Sequence, residues 1–249
     1  MFKPNISQIL GASVYLQSQA DELSDAALAE LFESGGFSVA INAEKVLANR
    51  RIPELNRALA RADFPYLDGK PLALLARLAG HTNADTIDMP VRALQVAERF
   101  SLNVGLLGAS AENVLRAQNN VKSRFPDIAV SFAIDGYKSD EELLQIITTQ
   151  KADVVLLALG SPRQELLAFQ ARSAGFPGFV VPCGGALDIL AGQKSRAPLW
   201  IHNAGLETPY RLLQDPSRLG RYQSLLPFIV RFPSALLQAL LKSEALEEF

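Results

Sequence analysis

Residues 152–165 read ADVVLLALGSPRQE and contain the transition that decides the fold. A run of apolar residues ends at Gly160, and Ser, Pro, Arg, Gln and Glu follow directly. A short and fully apolar run is typical of a parallel strand covered on both faces, and Pro162 suits the first turn of a helix. The stretch therefore predicts a buried strand, a glycine turn and a helix whose N-terminus faces outward.

Four further apolar runs of this kind are bounded by turn residues. They are FSVAIN (37–42), NVGLLGA (103–109), IAVSFAI (128–134) and GFVVPCGG (178–185). Segments with helical spacing lie between them at 111–123 and 139–149, and the second begins with Ser139 and Glu142 in the pattern of a capping box. This alternation predicts a Rossmann-like α/β fold, an open parallel sheet with helices on both faces.

The character of the chain changes at about Lys194. We expect residues 1–194 to form the α/β domain, and residues 195–249, with five prolines and alternating basic and apolar side chains, to form a helical appendage. The apolar stretch 225–241 is slightly short for a membrane span and contains Arg231 and Pro233. Together with the neighbouring arginines, it predicts a peripheral contact with an anionic membrane.

The bulk composition excludes several classes of protein. Hydrophobic residues make up 49% and charged residues 20%, which is typical of a globular protein. The formal net charge of -2 gives no overall attraction to nucleic acid, so any anion site must be local. The single cysteine, Cys183, excludes an internal disulfide, and the first residues lack a secretion signal. We therefore expect a cytoplasmic protein.

The loop after residues 152–159 is the strongest candidate for binding a ligand, because open parallel sheets bind ligands outside the carboxyl ends of their strands. Gly160 allows close approach, and a helix N-terminus with Arg163 and Gln164 offers donors to a phosphate or a nucleotide-sugar diphosphate. A capped turn in which Glu165 only occupies a favourable first-turn position explains the same residues equally well. Both interpretations stay open at this point.

Other candidates are weaker when taken alone. The turn at 108–110 lacks the GxGxxG pattern, so a simple turn is favoured. Asp68, in ADFPYLDGKPL (62–72), could act as a general base, although an Asp-Gly turn is the commoner explanation. The two histidines, His81 and His202, are far apart and show no metal-binding pattern. We expect no metal ion and no cofactor.

Seven stretches are weak indications of function one by one, but together, in their order along the chain, they form a strong one. They are INAEKV (41–46), LDG (67–69), LLGAS (106–110), DGY (135–137), GSPRQE (160–165), CGGALDILAGQKSRAP (183–198) and GLETPYRLLQDPSRLGRY (205–222). Together they resemble the motifs of the WecG/TagA/CpsF family, family 26 of the glycosyltransferases. GSPRQE is similar to the family's Gly-x-Pro-Lys/Arg-Gln-Glu motif, and the resemblance runs from about Phe37 to about Phe228.

The resemblance implies an inverting, metal-independent transferase of surface polysaccharide synthesis. Such enzymes move a sugar from a UDP-sugar (a UDP-hexose, UDP-N-acetylhexosamine or UDP-hexuronate) to a polyprenyl-diphosphate-linked saccharide. They act at the inner face of the bacterial plasma membrane, and a homo-oligomer is compatible with the resemblance. By position, Asp68 matches the general base. The expected substrate-binding residues are Asn42, Gly108, Ala109, Tyr137, Gly160, Pro162, Arg163, Gln164, Glu165, Gly185, Asp188, Arg196, Arg211, Arg218 and Arg221.

Some positions depart from the family's pattern. Ala40 stands where the family usually has Thr, Asn83 where it has Arg, Thr208 where it has Trp, and Ala109 where it has a second Gly. These departures leave open which sugar is transferred. They also admit an alternative, a non-catalytic UDP-sugar-binding member that acts as an assembly partner. A nicotinamide or flavin oxidoreductase would need a dinucleotide motif that the sequence lacks.

Overall fold

The computed structural model describes residues 6–9, 12–15, 23–49, 51–78, 84, 86–194, 198, 201, 210 and 213. The strands in this part of the chain are β1 (Ile6–Ile9), β2 (Ala12–Tyr15), β3 (Gly36–Ile41), β4 (Phe64–Leu67), β5 (Asn103–Gly108), β6 (Ala129–Ile134), β7 (Val154–Ala158) and β8 (Phe179–Pro182). The helices are α1 (Asp25–Glu33), α2 (Ala43–Asn49), α3 (Pro53–Ala60), α4 (Lys70–Leu78), α5 (Met89–Arg99), α6 (Ala111–Arg124), α7 (Asp140–Thr149), α8 (Arg163–Ser173) and α9 (Ala186–Leu190).

The described strands form one sheet in the order β1-β2-β4-β3-β8-β7-β5-β6. The six strands from β4 to β6 in this order are all parallel. The hairpin of β1 and β2 extends one edge, where Tyr15 of β2 pairs in parallel with Tyr66 of β4. The predicted open parallel sheet is therefore confirmed.

All five predicted strands are present, whereas β4 and the β1–β2 hairpin were not predicted. β4 has only four residues, FPYL, and Pro65 lies among them. Proline cannot donate a ladder hydrogen bond, so it argues against a strand in a sequence. In the fold, Pro65 lies beside Val39 of β3, and all four residues of β4 are buried.

Helices cover both faces of the sheet, as predicted. In β7, Val154 and Leu156 belong to a core formed with α1, α5, α6 and α9, whereas Val155 and Leu157 belong to a second core with α2, α3, α4, α7 and α8. Strands buried on both faces need no polar alternation, which explains their continuous apolar sequences. The predicted capping box is also present, because Ser139 and Glu142 each accept a hydrogen bond from the other's backbone N–H.

The path of the chain creates a crevice at the carboxyl edge of the sheet. β7 leads into α8 on one face, whereas its neighbours β5 and β8 lead into α6 and α9 on the other face. A ligand crevice opens where connections leave neighbouring strands toward opposite faces. The loops that the sequence singled out lie along this edge.

The predicted appendage, residues 195–249, lies almost wholly outside the described residues. Within the part of the chain that the structure describes, no helix has the length and apolarity that a membrane span requires.

Candidate active site

The loop after β7 has the predicted form of a glycine turn followed by a helix. Gly160 has a φ of +80°, Pro162 is the residue just before the first helical position, and the peptide bond before it is cis. The N–H of Gln164 donates to the carbonyl of Gly160 at 3.0 Å, which closes the turn. The two residues that follow Arg163 were expected to face a ligand, but their side chains are buried, with exposures of 4% for Gln164 and 0% for Glu165.

The side chain of Gln164 joins two loops of the crevice. Its Oε1 accepts hydrogen bonds from the backbone N–H of Gly160 at 3.2 Å and of Gly184 at 2.9 Å. Its Nε2 donates to Glu165 Oε1 at 2.8 Å. The amide therefore holds the carboxyl ends of β7 and β8 together, and the Gly160 amide is directed at Gln164. Gln164 therefore joins two loops of the crevice wall, and its contact with a sugar donor stays a prediction.

Glu165 forms a buried ion pair that sequence analysis missed. Its Oε1 lies 2.9 Å from Lys45 Nζ, and the two side chains are 0% and 5% exposed. Lys45 Nζ also donates to the carbonyl of Ala40 at 2.7 Å. Lys45 lies in the quoted INAEKV stretch, but no spacing in the sequence connects it with a glutamate on the distant helix α8.

The surroundings of Glu165 favour its charged form. Burial raises the pKa of its carboxyl, but the Lys45 ammonium and hydrogen bonds from Gln164, Lys45 and Ser161 outweigh burial and hold the pKa below its usual 4.5. The second carboxylate oxygen, Oε2, has no partner with full hydrogen-bond geometry among the described residues. Glu165 therefore places a negative charge in the first turn of α8. It also accepts the hydrogen bonds from Lys45 and Gln164 at the centre of a buried network.

Asn42 and Asp68 lie side by side at the ends of neighbouring strands. Asn42 follows β3, and its Oδ1 accepts a hydrogen bond from the N–H of Lys45 at 3.0 Å, which caps α2. Its Nδ2 points to Asp68 Oδ2 at 3.5 Å. Asp68 follows β4, and its backbone N–H donates to the carbonyl of Ile41 at 2.9 Å. Both side chains are half-buried, so the carboxylate is held by the fold while it stays accessible.

Tyr66 lies two residues before Asp68 in the chain and pairs with Ala40 of β3. Tyr66 is buried, and its pKa is raised well above 10.0 by burial first and then by the nearby acidic groups, among them the carboxylates of Asp68, Asp88 and Glu165. The phenol is therefore neutral at physiological pH.

Cys183, at the end of β8, packs against the apolar core, as the sequence predicted. Burial, with a smaller contribution from Asp188, raises the pKa of its thiol to about 12. Its thiolate is therefore scarce at neutral pH, which makes it a poor nucleophile.

The turn after β5 packs directly against the end of β7. Gly108 and Ala109 have φ angles of +125° and +57°, and the N–H of Ala109 donates to the carbonyl of Ala158 at 3.1 Å. The carbonyl of Ala109 accepts from the N–H of Gly136 at 3.1 Å. The loops after β5, β6 and β7 thus form one side of the crevice.

Arg163 stabilises the loop after β6. Its guanidinium donates to the carboxylate of Asp140 at 2.6 Å and to the carbonyls of Gly136 and Lys138 at 2.9 and 2.6 Å. A planar guanidinium is well suited to several acceptors at once. The loop that it holds presents Tyr137, whose side chain is 84% exposed. Arg163 was expected to contact a phosphate, but here its donors bind the protein.

On the other face of the sheet, the crevice is bounded by α9 and α6. Gly185 precedes α9, and Asp188 lies in its first turn. The Asp188 carboxylate accepts from Asn113 Nδ2 at 2.9 Å and from Lys194 Nζ at 3.0 Å, which joins α9 to α6. Neither Asn113 nor Lys194 was predicted to belong to the site.

Four expected site residues lie outside the described part of the chain: Arg196, Arg211, Arg218 and Arg221. The departures at Asn83 and Thr208 lie outside it as well. Among the residues that are described, no three His, Cys, Asp or Glu side chains come together as a set of metal ligands.

The fold and the crevice agree with a comparison against protein families. The model of the family described as "Glycosyl transferase WecG/TagA/CpsF family" matches residues 8–244 of the 249-residue chain. The match covers every element that forms the crevice, from β3 to α9, and continues into the appendage. The chain therefore belongs to the WecG/TagA/CpsF family of glycosyltransferases, which act in surface polysaccharide synthesis.

Proposed function

We propose that the protein transfers a sugar from a UDP-sugar to a polyprenyl-diphosphate-linked saccharide, with inversion and without a metal ion. One observation carries this proposal. The half-buried carboxylate of Asp68 shares the carboxyl edge of the sheet with the glycine turns after β5, β7 and β8. A general base and a phosphate-binding surface on one edge are what a direct sugar transfer from a nucleotide requires.

The donor lies across the turns at 108–109, 160–163 and 184–185. Its diphosphate is stabilised by the N-terminal end of α8, an 11-residue helix whose dipole favours negative charge there. Asp188 and the exposed ring of Tyr137 lie at the crevice edges, where they can contact the nucleoside. Gln164 and Arg163 act on the donor through the loops that they hold in place.

Asp68 accepts the proton of the acceptor hydroxyl as that oxygen attacks C1 of the donor sugar. The new glycosidic bond forms while the bond from C1 to the diphosphate breaks, and UDP leaves with the electron pair. Attack from the face opposite UDP inverts the configuration at C1. The Asn42 amide, 3.5 Å from the carboxylate, keeps Asp68 oriented for this step.

Negative charge grows on the departing diphosphate, and fixed positive groups lower the barrier by stabilising it. The helix dipole of α8 supplies part of this stabilisation. The remaining stabilisation of this charge comes from arginines that the resemblance to the family assigns to the site, namely Arg196, Arg211, Arg218 and Arg221. The basic and apolar appendage also places the enzyme at the inner face of the plasma membrane, where the lipid-linked acceptor resides.

The experiment is a panel of UDP-sugars with a polyprenyl-diphosphate-saccharide acceptor, measured by UDP release. We expect one donor to be used, with activity that persists in a chelator, and Asp68→Asn to lower kcat by about 100-fold or more because general-base catalysis is lost. Asp127→Asn is the matched control, since Asp127 is exposed in the turn before β6, at the opposite end of the sheet. Absence of UDP release with every pair, or full activity of Asp68→Asn, contradicts the proposal.

A second candidate, a UDP-sugar-binding assembly partner without catalysis, is favoured by Ala40. This residue is 9% exposed at the register position beside Tyr66, beneath the crevice, and it carries no hydroxyl where the family usually has Thr. Calorimetry separates the two candidates, because the second predicts UDP-sugar binding without turnover.

A further inference from the structure

In the part of the chain that the structure describes, buried polar side chains are concentrated at one place. Among the described residues, the buried polar or charged side chains are Ser38, Lys45, Gln164 and Glu165. Three of these four form the network at the carboxyl ends of β3 and β7. Elsewhere, the helices on this face pack through apolar residues such as Leu55, Leu143 and Leu167.

The Lys45–Glu165 pair links parts of the crevice that are not neighbours in the sheet. Lys45 lies on α2, which follows β3, and Glu165 lies on α8, which follows β7. β8 separates β3 from β7, so the ion pair spans the carboxyl end of β8. The backbone hydrogen bonds of the sheet do not connect the two helices directly.

Each partner of the pair is bonded to one half of the proposed site. On one side, Asn42 caps α2 through the N–H of Lys45 and points its amide at Asp68. On the other side, Glu165 Oε1 accepts from both Lys45 Nζ and Gln164 Nε2. This second bond fixes which way the Gln164 amide faces, and its Oε1 is thereby left to hold Gly160 and Gly184.

A contribution to folding stability does not by itself explain why this ion pair is buried. Removing two charges from water is costly, and a well-packed apolar pair of similar size is often as stable or more so. A directional ion pair does provide one defined geometry, which an apolar contact would leave looser. Reactions between two bound substrates depend steeply on such geometry, since a displacement of about 1 Å can cost about 100-fold in rate.

We propose that Lys45 and Glu165 are positioning residues, which set the distance between the Asp68 side of the crevice and the Gly160–Gly184 side. This inference rests on the proposed function, because it assigns Asp68 to the acceptor and the glycine turns to the donor. The pair touches neither substrate. The ion pair holds the Asp68 carboxylate and the donor at a fixed distance. We therefore expect its loss to lower kcat more than it weakens donor binding.

The test is the double variant Lys45→Met/Glu165→Gln in the full chain. It removes both charges together, so neither is left buried alone, and the introduced glutamine keeps an oxygen that can accept from Gln164 Nε2. The control is Arg57→Met/Glu54→Gln, which removes an exposed ion pair on α3, on the same face of the sheet. Circular dichroism and thermal melting show which variants are folded. If the double variant does not fold, Lys45→Arg, which keeps the positive charge, is tested in its place.

We expect the folded double variant to bind UDP within about 3-fold of the wild type, with kcat at least about 30-fold lower and donor KM changed much less. The control keeps wild-type kcat. If the double variant does not fold, Lys45→Arg is expected to keep donor KM and to lower kcat, because the longer guanidinium changes the distance that the pair sets. A kcat within about 3-fold of wild type, or a loss confined to donor KM, overturns the inference in either variant.

Hydrogen–deuterium exchange tests the inference by a measurement that does not require the protein to be active. The inference expects faster exchange in the variant at both 64–70 and 160–166, with 103–134 unchanged. If the wild type releases no UDP with any pair, the proposed function fails, and the exchange result alone decides whether the pair couples the two sides. Unchanged exchange at either segment then overturns the inference.

Discussion

Gly108 and Gly160 turn the chain at the ends of the neighbouring strands β5 and β7, but their surroundings differ. Both have positive φ angles, +125° and +80°, which side chains rarely adopt. A Cβ at Gly108 would lie 2.2 Å from the carbonyl oxygen of Ala158, whereas nothing lies within 4 Å of a Cβ at Gly160. Gly108 is therefore required because a Cβ would clash and because of its φ angle, whereas Gly160 is required because of its φ angle alone.

Alanine substitutions should therefore separate the two glycines. We expect Gly160→Ala to lower the free energy of unfolding by about 1–2 kcal/mol, the cost of a left-handed residue. Gly108→Ala should cost at least twice as much, or prevent folding, because β5 must move away from β7. Urea denaturation of both variants measures the difference, and equal losses would show that the close contact at Ala158 is unimportant.

Cys183 provides a second prediction at this scale. Because burial raises the pKa of its thiol to about 12, only about one molecule in ten thousand carries a thiolate at pH 8. A thiol reagent such as dithionitrobenzoate should therefore react with the native protein far more slowly than with free cysteine, and at the usual rate after unfolding in guanidinium. Native reactivity equal to that of free cysteine would contradict the raised pKa of the thiol.

At the scale of elements, local patterns and long-range contacts differ in how well a sequence predicts them. The strands β3, β5, β7 and β8 were predictable because each is a largely apolar run that is buried on both faces of the sheet, and the partly exposed edge strand β6 because it too is mostly apolar. The capping box of α7 was predictable because its two partners are three residues apart. β4 escaped prediction because Pro65 interrupts a four-residue strand.

The same distinction holds for the site. Asn42 and the GSPRQE turn could be identified because each follows an apolar run, and Asp68 because it forms an Asp-Gly pair in an apolar and aromatic stretch that resembles a family motif. The contacts of Gln164 with Gly184 and of Lys45 with Glu165 could not, because they depend on β8 lying between β3 and β7. Strand order is a property of the packed sheet, and no local spacing encodes it.

The α7 capping box gives a prediction about pH. Hydrogen bonds from the backbone and side chain of Ser139 lower the pKa of Glu142 below its usual 4.5. A lowered pKa means that the unfolded chain binds the proton more tightly. The stabilisation by the Glu142 charge is therefore present above pH 4.5 and is lost as pH falls through the lower folded pKa.

Glu142→Gln isolates this charge, because glutamine can still accept from the N–H of Ser139. We expect the wild type to have the higher urea midpoint at pH 7 and the difference to shrink as pH falls below 4.5, vanishing once Glu142 is protonated in the folded protein. Glu141→Gln removes the same charge from the same turn and serves as the control. A difference that does not shrink as pH falls below 4.5 would mean that the charge of Glu142 is not its source.

At the scale of the whole molecule, we expect residues 195–249 to contact the membrane. Residues 225–241 are strongly apolar, and Arg211, Arg218 and Arg221 precede them. Deleting the chain from Leu225 onward should release the protein from vesicles that contain anionic lipid, and high salt should weaken binding of the full chain. Vesicles of neutral lipid are the control in a co-sedimentation assay. Equal binding of full-length and truncated chains to anionic vesicles would refute this role.

The most direct measurement is a crystal structure of the full chain with UDP, grown with magnesium present. The central claim is that the carboxyl edge of the sheet holds the diphosphate of an activated sugar by peptide dipoles and cationic side chains. It predicts that the phosphates lie at the turns 108–109 and 160–163, with Asp68 facing them across the crevice and no ion between protein and phosphate. UDP bound away from this edge, or held there only through magnesium, would contradict it.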